Sequence, residues 1–134
     1  MTELFADAFY FIALLNPFDQ YHQAAVTASR QLTSRLSTTH WILIEVADAL
    51  GSPCVRQRVA PFLNRIAADP NIMITPPDPD LFDRGLDLYA RRPDKAWSLT
   101  DCISFVVMAE RGLIDALTGD RHFEQAGFQA LLRP

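Results

Sequence analysis

Glu3-Leu4-Phe5-Ala6-Asp7-Ala8-Phe9-Tyr10-Phe11-Ile12-Ala13-Leu14-Leu15-Asn16-Pro17 is the stretch that decides the fold. Glu3 to Ala6 is a short, mostly apolar run of strand length, Asp7 interrupts it, and the apolar stretch to Leu15 has helix length before Asn16-Pro17 stops it. Strand, acid, helix and stop make the opening of a β–α unit, so the rest of the chain is read for repetitions of that unit.

They recur in both halves. Phe18 to Arg35 carries His22, Ala25, Val26, Ser29 and Leu32 at helical spacing, and Leu36 to Thr39 is β-prone. Trp41 to Leu50 predicts a helix that Gly51-Ser52-Pro53 breaks. Val55 to Ala68 sets Val59, Phe62, Leu63 and Ile66 on one side of another helix, ahead of a short strand at Ile72-Met73-Ile74. Helices are predicted over Asp78 to Arg91 and over Ser98 to Arg111, with the loop Arg92-Pro93-Asp94-Lys95 between them. Gly112 ends the second, at a position that favours a left-handed residue. Ile114 to Thr118 and Gln129 to Leu132 are the last β-prone pieces, flanking the turn Gly119-Asp120-Arg121-His122. Strands alternating with helices predict an α/β fold of three layers, a twisted parallel sheet with helices on both faces. In such sheets ligands bind at the carboxyl ends of the strands.

Composition sets the outer limits. A chain of 134 residues, 49% of them hydrophobic, fills one α/β core, so a single domain over residues 1–134 is expected. No apolar run approaches the ~20 residues of a membrane-spanning helix, and the start Met1-Thr2-Glu3-Leu4 has no basic leader region. The expectation is a soluble, cytoplasmic protein with no membrane partner. Cys54 and Cys102 form no C-x-x-C or Cys/His cluster, which leaves two buried free thiols as the simplest reading and excludes a zinc or redox motif. A net charge of −4 argues against a uniform basic field for gripping nucleic acid. Setting four acids aside for a metal site leaves the remaining acids and the bases in balance, and every base except Lys95 is an arginine, the fork-shaped partner of phosphate.

Four acids fall at the predicted strand ends or on the helices that cross to them. Asp7 follows the first strand, Glu45 lies in the helix after the second, Asp101 begins the long apolar helix, and Asp120 follows the strand ending at Thr118. Gathering them is costly: unit charges ~4 Å apart repel by roughly 4 kcal/mol at an effective dielectric of ~20. Protons or a cation must offset that. An oxygen donor set suits hard Mg2+ or Mn2+, which activate water and stabilise a leaving oxygen in phosphodiester hydrolysis. Each acid also has a local alternative. Asp7 fits a helix N-cap, Glu45 shares a narrow polar stripe with Asp48 and Ser52, Ser98-Leu99-Thr100-Asp101 is a capping-box pattern, and Asp120 follows a glycine in a turn. Asp101 nevertheless stands above Phe105 and Met108 on a largely apolar helix, where a carboxylate wants a partner. Their joint placement carries the argument.

With these residues in place, the sequence resembles a PIN-domain ribonuclease of the VapC toxin kind over nearly its whole length. The resemblance rests on Leu4-Phe5-Ala6-Asp7 with the apolar Phe11 to Leu15, on Trp41 to Leu50, on Trp97-Ser98-Leu99-Thr100-Asp101-Cys102-Ile103-Ser104-Phe105, and on Ala116-Leu117-Thr118-Gly119-Asp120-Arg121-His122-Phe123 with its continuation to Phe128. It implies a PIN-like fold with an acidic pocket for one or two Mg2+ or Mn2+ ions, in which Asp7, Glu45, Asp101 and Asp120 match the family's acidic positions. Thr118 matches the hydroxyl residue before the last acid, Gly119 occupies a variable place, and Asp94 is an additional or outer-shell candidate. The resemblance further implies endoribonuclease activity on an RNA substrate, a small cognate antitoxin encoded alongside, and a homodimer with 18–35 and 55–68 as candidate surfaces. Arg121, His122 and Lys95 are candidate RNA contacts, against the alternative of solvated surface charge. A non-catalytic PIN-fold module binding RNA or protein is the alternative function.

Other chemistries that place an acid after the first strand do not fit. A phosphatase using that acid as nucleophile needs a second acid two positions on, where this chain has Phe9. A phospho-receiver domain needs a lysine after a late strand, and Lys95 precedes the long helix. G-x-G-x-x-G, P-loop and H-E-x-x-H patterns are absent.

Overall fold

The computed structural model describes residues 2–133. In chain order the elements are β1 (Glu3–Ala6), α1 (Ala8–Leu15), α2 (His22–Gln31), β2 (Arg35–Thr39), α3 (His40–Ala49) and α4 (Pro53–Ala68). There follow β3 (Ile72–Thr75), α5 (Pro79–Arg91), α6 (Leu99–Arg111), β4 (Asp115–Leu117), α7 (Arg121–Gln125) and β5 (Gln129–Ala130). The α/β order expected from the sequence is the order observed except at Arg121–Gln125, where the expected turn after Thr118 continues into the short helix α7, capped by the Asp120 side chain.

The largest departure lies between Phe18 and Arg35, where the helix is shorter at both ends than its periodicity suggests. Asn16 and Asp19 side chains accept the N–H groups of Phe18 and Tyr21, which winds the chain into turns before α2 begins. At the other end Arg35 already belongs to β2, opposite Glu3 of β1. Pro53 proves to open α4 as well as to close the preceding loop, since a proline at the first helical turn sacrifices no hydrogen bond. Ser98 and Asp101 form the reciprocal capping box at the start of α6, and Gly112 ends that helix with φ 67°.

All five strands are parallel, in the order β3-β2-β1-β4-β5. The chain steps outward from β1 through β2 to β3, then returns across the sheet to β4 on the other side of β1. Right-handed crossovers therefore place α1 to α4 on one face and α5 to α7 on the other. Phe11 of α1 packs on Phe62 of α4 in the first layer, while Phe105 of α6 packs on Phe123 of α7 in the second. Phe5 on the central strand reaches Phe123, and each of these rings is buried. Gly85 of α5 lies so close to Ile103 of α6 that a side chain would overlap it, which explains a glycine inside a helix.

The reversal of strand order falls between β1 and β4, the topological switch point where open α/β sheets bind ligands. The buried polar residues gather at this end: Asp7 after β1, Thr38 and Thr39 at the end of β2, and Thr118 after β4. Thr38 donates its hydroxyl to the Ala6 carbonyl, and Thr39 accepts from the Ile42 N–H to cap α3.

Cysteine placement corrects the sequence expectation in part. Cys102 is buried, but Cys54 is exposed, because helical spacing turns it away from the stripe of Val59, Phe62 and Ile66 that α4 buries. No helix among the described residues is long and apolar enough to cross a membrane.

Candidate metal centre

Asp7 occupies the N-cap position of α1, yet its carboxylate makes no capping hydrogen bond. It turns toward β4, where it accepts the Thr118 hydroxyl at 2.8 Å. The main chains join there too, through Asp7 N–H to Leu117 C=O at 3.3 Å. An acid whose residue type alone suggests a cap is thus aimed across the switch point.

Asp101 is held from two sides. Its Oδ2 accepts the Ser98 N–H at 3.1 Å and lies 3.0 Å from His122 Nδ1. The capping box is real, but it uses one oxygen of a buried carboxylate on the apolar helix and does not exhaust its role. Asp120 caps α7 by accepting the His122 N–H at 2.9 Å, and its own N–H donates to Thr118 Oγ1 at 3.1 Å. The His122 ring closes on this acid as well, with Nδ1 3.4 Å from Asp120 Oδ1. Donor atoms of Asp101, Asp120 and His122 all lie within 4.8 Å of one another, a separation that one cation spans.

Glu45 joins the group by charge. Burial raises its pKa, and Asp101, Asp120 and Asp48 raise it further, while the Thr100 hydroxyl offsets part of the shift. Burial drives the Asp7 carboxyl up to about 7, opposed by the Thr118 hydrogen bond and reinforced by Asp101 and Glu45. Asp101 is raised too, first by burial, with the Ser98 N–H and His122 pulling the other way. The four acids thus share one electrostatic site, in which His122 is the neighbouring basic group. Buried carboxylates that hold their protons this tightly and face one another need a cation to ionise together, so the donor set fits a divalent metal.

The remaining candidates divide. Asp94 is exposed and pairs with Arg92 through both oxygens, at 2.9 and 3.0 Å, and that guanidinium holds its carboxyl down at about 2. Arg121 is exposed beside Asp120. Lys95 is half-buried in a cleft shared with Tyr89, Arg92, Trp97 and Ser98. Ser98, whose N–H binds Asp101, lines this cleft, but none of the four acids does.

Sequence reasoning undervalued His122 and overlooked Thr100 and Arg133. Proximity to Asp120 and Asp101 signalled the first two. Nothing in the sequence points to Arg133, which donates to the Gly119 carbonyl at 3.2 Å and pairs with Glu124 at 2.7 Å, bracing the Asp120 loop from behind.

Architecture and acid cluster together define the class as a PIN-like domain. No protein-family model matches the sequence, and no curated protein matches it significantly. Among solved structures the chain is similar to VapC20 of Mycobacterium tuberculosis, a sarcin–ricin loop cleaving toxin. The TM-score is 0.86 and the identity 25%, over 94% of this chain and 96% of that one.

Proposed function

We propose that this protein is a divalent-metal-dependent endoribonuclease, the toxin of a toxin–antitoxin pair. The observation that supports the reading is the clustering of Asp101 and Asp120 with His122 at the switch point of a PIN-like sheet, close enough to Asp7 and Glu45 for their charges to be felt. Asp7, Asp101 and Glu45 would hold a Mg2+ or Mn2+ ion, and Asp120 would support it or a second ion. When bound, the ion supplies charge neutralisation at the scissile phosphate and its leaving oxygen. The protein's share is pre-organisation. Thr118 Oγ1–H fixes Asp7 Oδ2, the Ser98 N–H fixes Asp101 Oδ2, and the His122 N–H fixes Asp120 Oδ1, so little rearrangement opposes assembly of the site.

The cleft that Ser98 lines offers Lys95 to phosphate and the half-exposed Tyr89 ring to a base, a combination suited to single-stranded or looped RNA. Arg121 extends the positive edge next to Asp120. The neighbour's substrate makes the sarcin–ricin loop of ribosomal RNA the first substrate to try, and its toxin class makes a small antitoxin the expected partner. A homodimer and a cytoplasmic site of action belong to the same proposal.

The test is incubation of the purified protein with an RNA containing that loop and with a mixed RNA pool, under Mg2+, Mn2+ or chelator. Metal-dependent cleavage lost in Asp7→Asn and Asp101→Asn is expected. Intact RNA throughout the metal titration would instead identify a non-catalytic binding module.

A further inference from the structure

The position of His122 bears on which ion the site prefers. Its ring folds back into the acid cluster, with Nδ1 3.0 Å from Asp101 Oδ2 and 3.4 Å from Asp120 Oδ1, whereas the preceding Arg121 is exposed. The placement is braced. The His122 N–H donates to Asp120 Oδ1, the adjacent Phe123 is fully buried, and Arg133 ties the Gly119 carbonyl to Glu124. A nitrogen donor is therefore held among oxygen donors at ligand spacing.

We propose that His122 is a nitrogen ligand to the divalent cation at Asp101 and Asp120, and that it tilts this site from Mg2+ toward Mn2+. The inference rests on reading the pocket as a metal site, and it adds a donor that the four acids do not supply. Mg2+ takes oxygen ligands almost exclusively and parts with water reluctantly. Transition ions accept imidazole, so one histidine in a carboxylate set favours Mn2+ at the expense of Mg2+. A ring serving only as hydrogen-bond donor to the two carboxylates would give neither ion that advantage.

The experiment is electron spin-echo spectroscopy of the Mn2+-loaded protein, with nitrogen-isotope labelling of histidine, beside calorimetric titration of the metal-free protein with Mn2+ and with Mg2+. Wild type is expected to show imidazole-nitrogen coupling to Mn2+, and His122→Gln to lack it. Mn2+ affinity should fall about tenfold in that variant while Mg2+ affinity changes less than about threefold. Mn2+ bound to wild type without nitrogen coupling would overturn the assignment, as would equal loss for the two ions. Failure of wild type to bind either ion would overturn the metal reading itself, which separates the two failures. Because the coupling is read on the wild type, the result does not depend on the variant folding.

Discussion

Thr118 Oγ1 donates to Asp7 Oδ2 at 2.8 Å across 111 positions of sequence, and the same oxygen accepts the Asp120 N–H at 3.1 Å. One buried hydroxyl thereby links the acid after β1 to the acid after β4, using its proton for one and a lone pair for the other. The parallel pairing of β1 with β4 makes this possible, since both strands deliver their carboxyl ends to the same edge. What looks in the sequence like a hydroxyl preceding an acid is the strut of the pocket.

Replacing Thr118 by Val keeps the shape and removes the strut. The Asp7 carboxylate then loses its hydrogen-bond donor in a fully buried setting, and the Asp120 N–H loses its acceptor. Divalent-ion affinity and cleavage should each fall about 10- to 100-fold, with stability reduced by about 1–3 kcal/mol. Thr118→Ser should restore most of the affinity. Calorimetric metal titration of the two variants checks this, and equal affinities for Val and Ser would refute the role of the hydroxyl.

The raised Asp7 pKa makes metal-free stability depend on pH in a defined direction. Folded Asp7 keeps its proton up to about 7, while the unfolded chain releases it near 3.8, so the folded state binds more protons in between. Stability from this group is present at low pH and is lost as pH climbs from the lower value through the upper one. Three pKa units correspond to on the order of 4 kcal/mol, and Asp101 and Glu45, also raised, act in the same direction. Asp7→Asn, neutral at every pH, should therefore be the more stable protein at pH ~8 in chelator by a few kcal/mol, and lose that advantage near pH ~4. Excess Mn2+ should reverse the order at pH ~8 by stabilising wild type more than the variant, which lacks the Asp7 carboxylate. Urea unfolding at both pH values measures it, and a pH-independent difference would contradict the assigned shift.

Much of this arrangement was legible before the fold was known, and the limits are physical. Alternation of apolar runs with helical periodicity located every strand and every helix but α7, because burial on a sheet or a helix face writes a period into the sequence and the five residues of α7 are too few to show one. The ends moved where side-chain hydrogen bonds compete with helix, as Asn16 and Asp19 do ahead of α2. The acids could be located, but their local alternatives could be weighed only in space. Asp7 could be told from a cap only by seeing its carboxylate turn to Thr118, and Glu45 from a surface acid only by seeing the charges it faces. His122 looked like part of a solvated turn because sequence does not specify which way a ring in a short helix rotates.

Asp94 supplies the contrasting case. Its exposed carboxylate is occupied by Arg92, whose guanidinium also lies 5.1 Å from the centre of the Trp97 ring. An exposed pair of this kind contributes little, and neither oxygen is left facing the acid cluster without a partner. Asp94→Ala should change the cleavage rate less than about threefold under saturating metal. A loss as large as that of Asp101→Asn would place Asp94 inside the metal site after all.

Gly119 and Phe9 provide the last test, because neither is an acid and each constrains one. Gly119 is buried between Thr118 and Asp120, and a methyl group added to it would overlap the Phe9 ring. That ring cannot retreat freely, since it packs edge-on against Tyr21 with centroids 4.8 Å apart. Gly119→Ala should cost about 1–3 kcal/mol by overpacking. The backbone must yield in part, and Asp120 moves with it, so cleavage should fall roughly 10- to 100-fold, as misplacement of a site residue by ~1 Å does. Phe9→Leu in the Gly119→Ala background clears the overlap and should recover both stability and rate, although Phe9→Leu alone removes aromatic packing and destabilises. A double-mutant cycle by thermal unfolding and cleavage reads the coupling. Additive effects would mean that the ring and the loop do not constrain each other, and that the glycine at this position serves some purpose other than making room for Phe9.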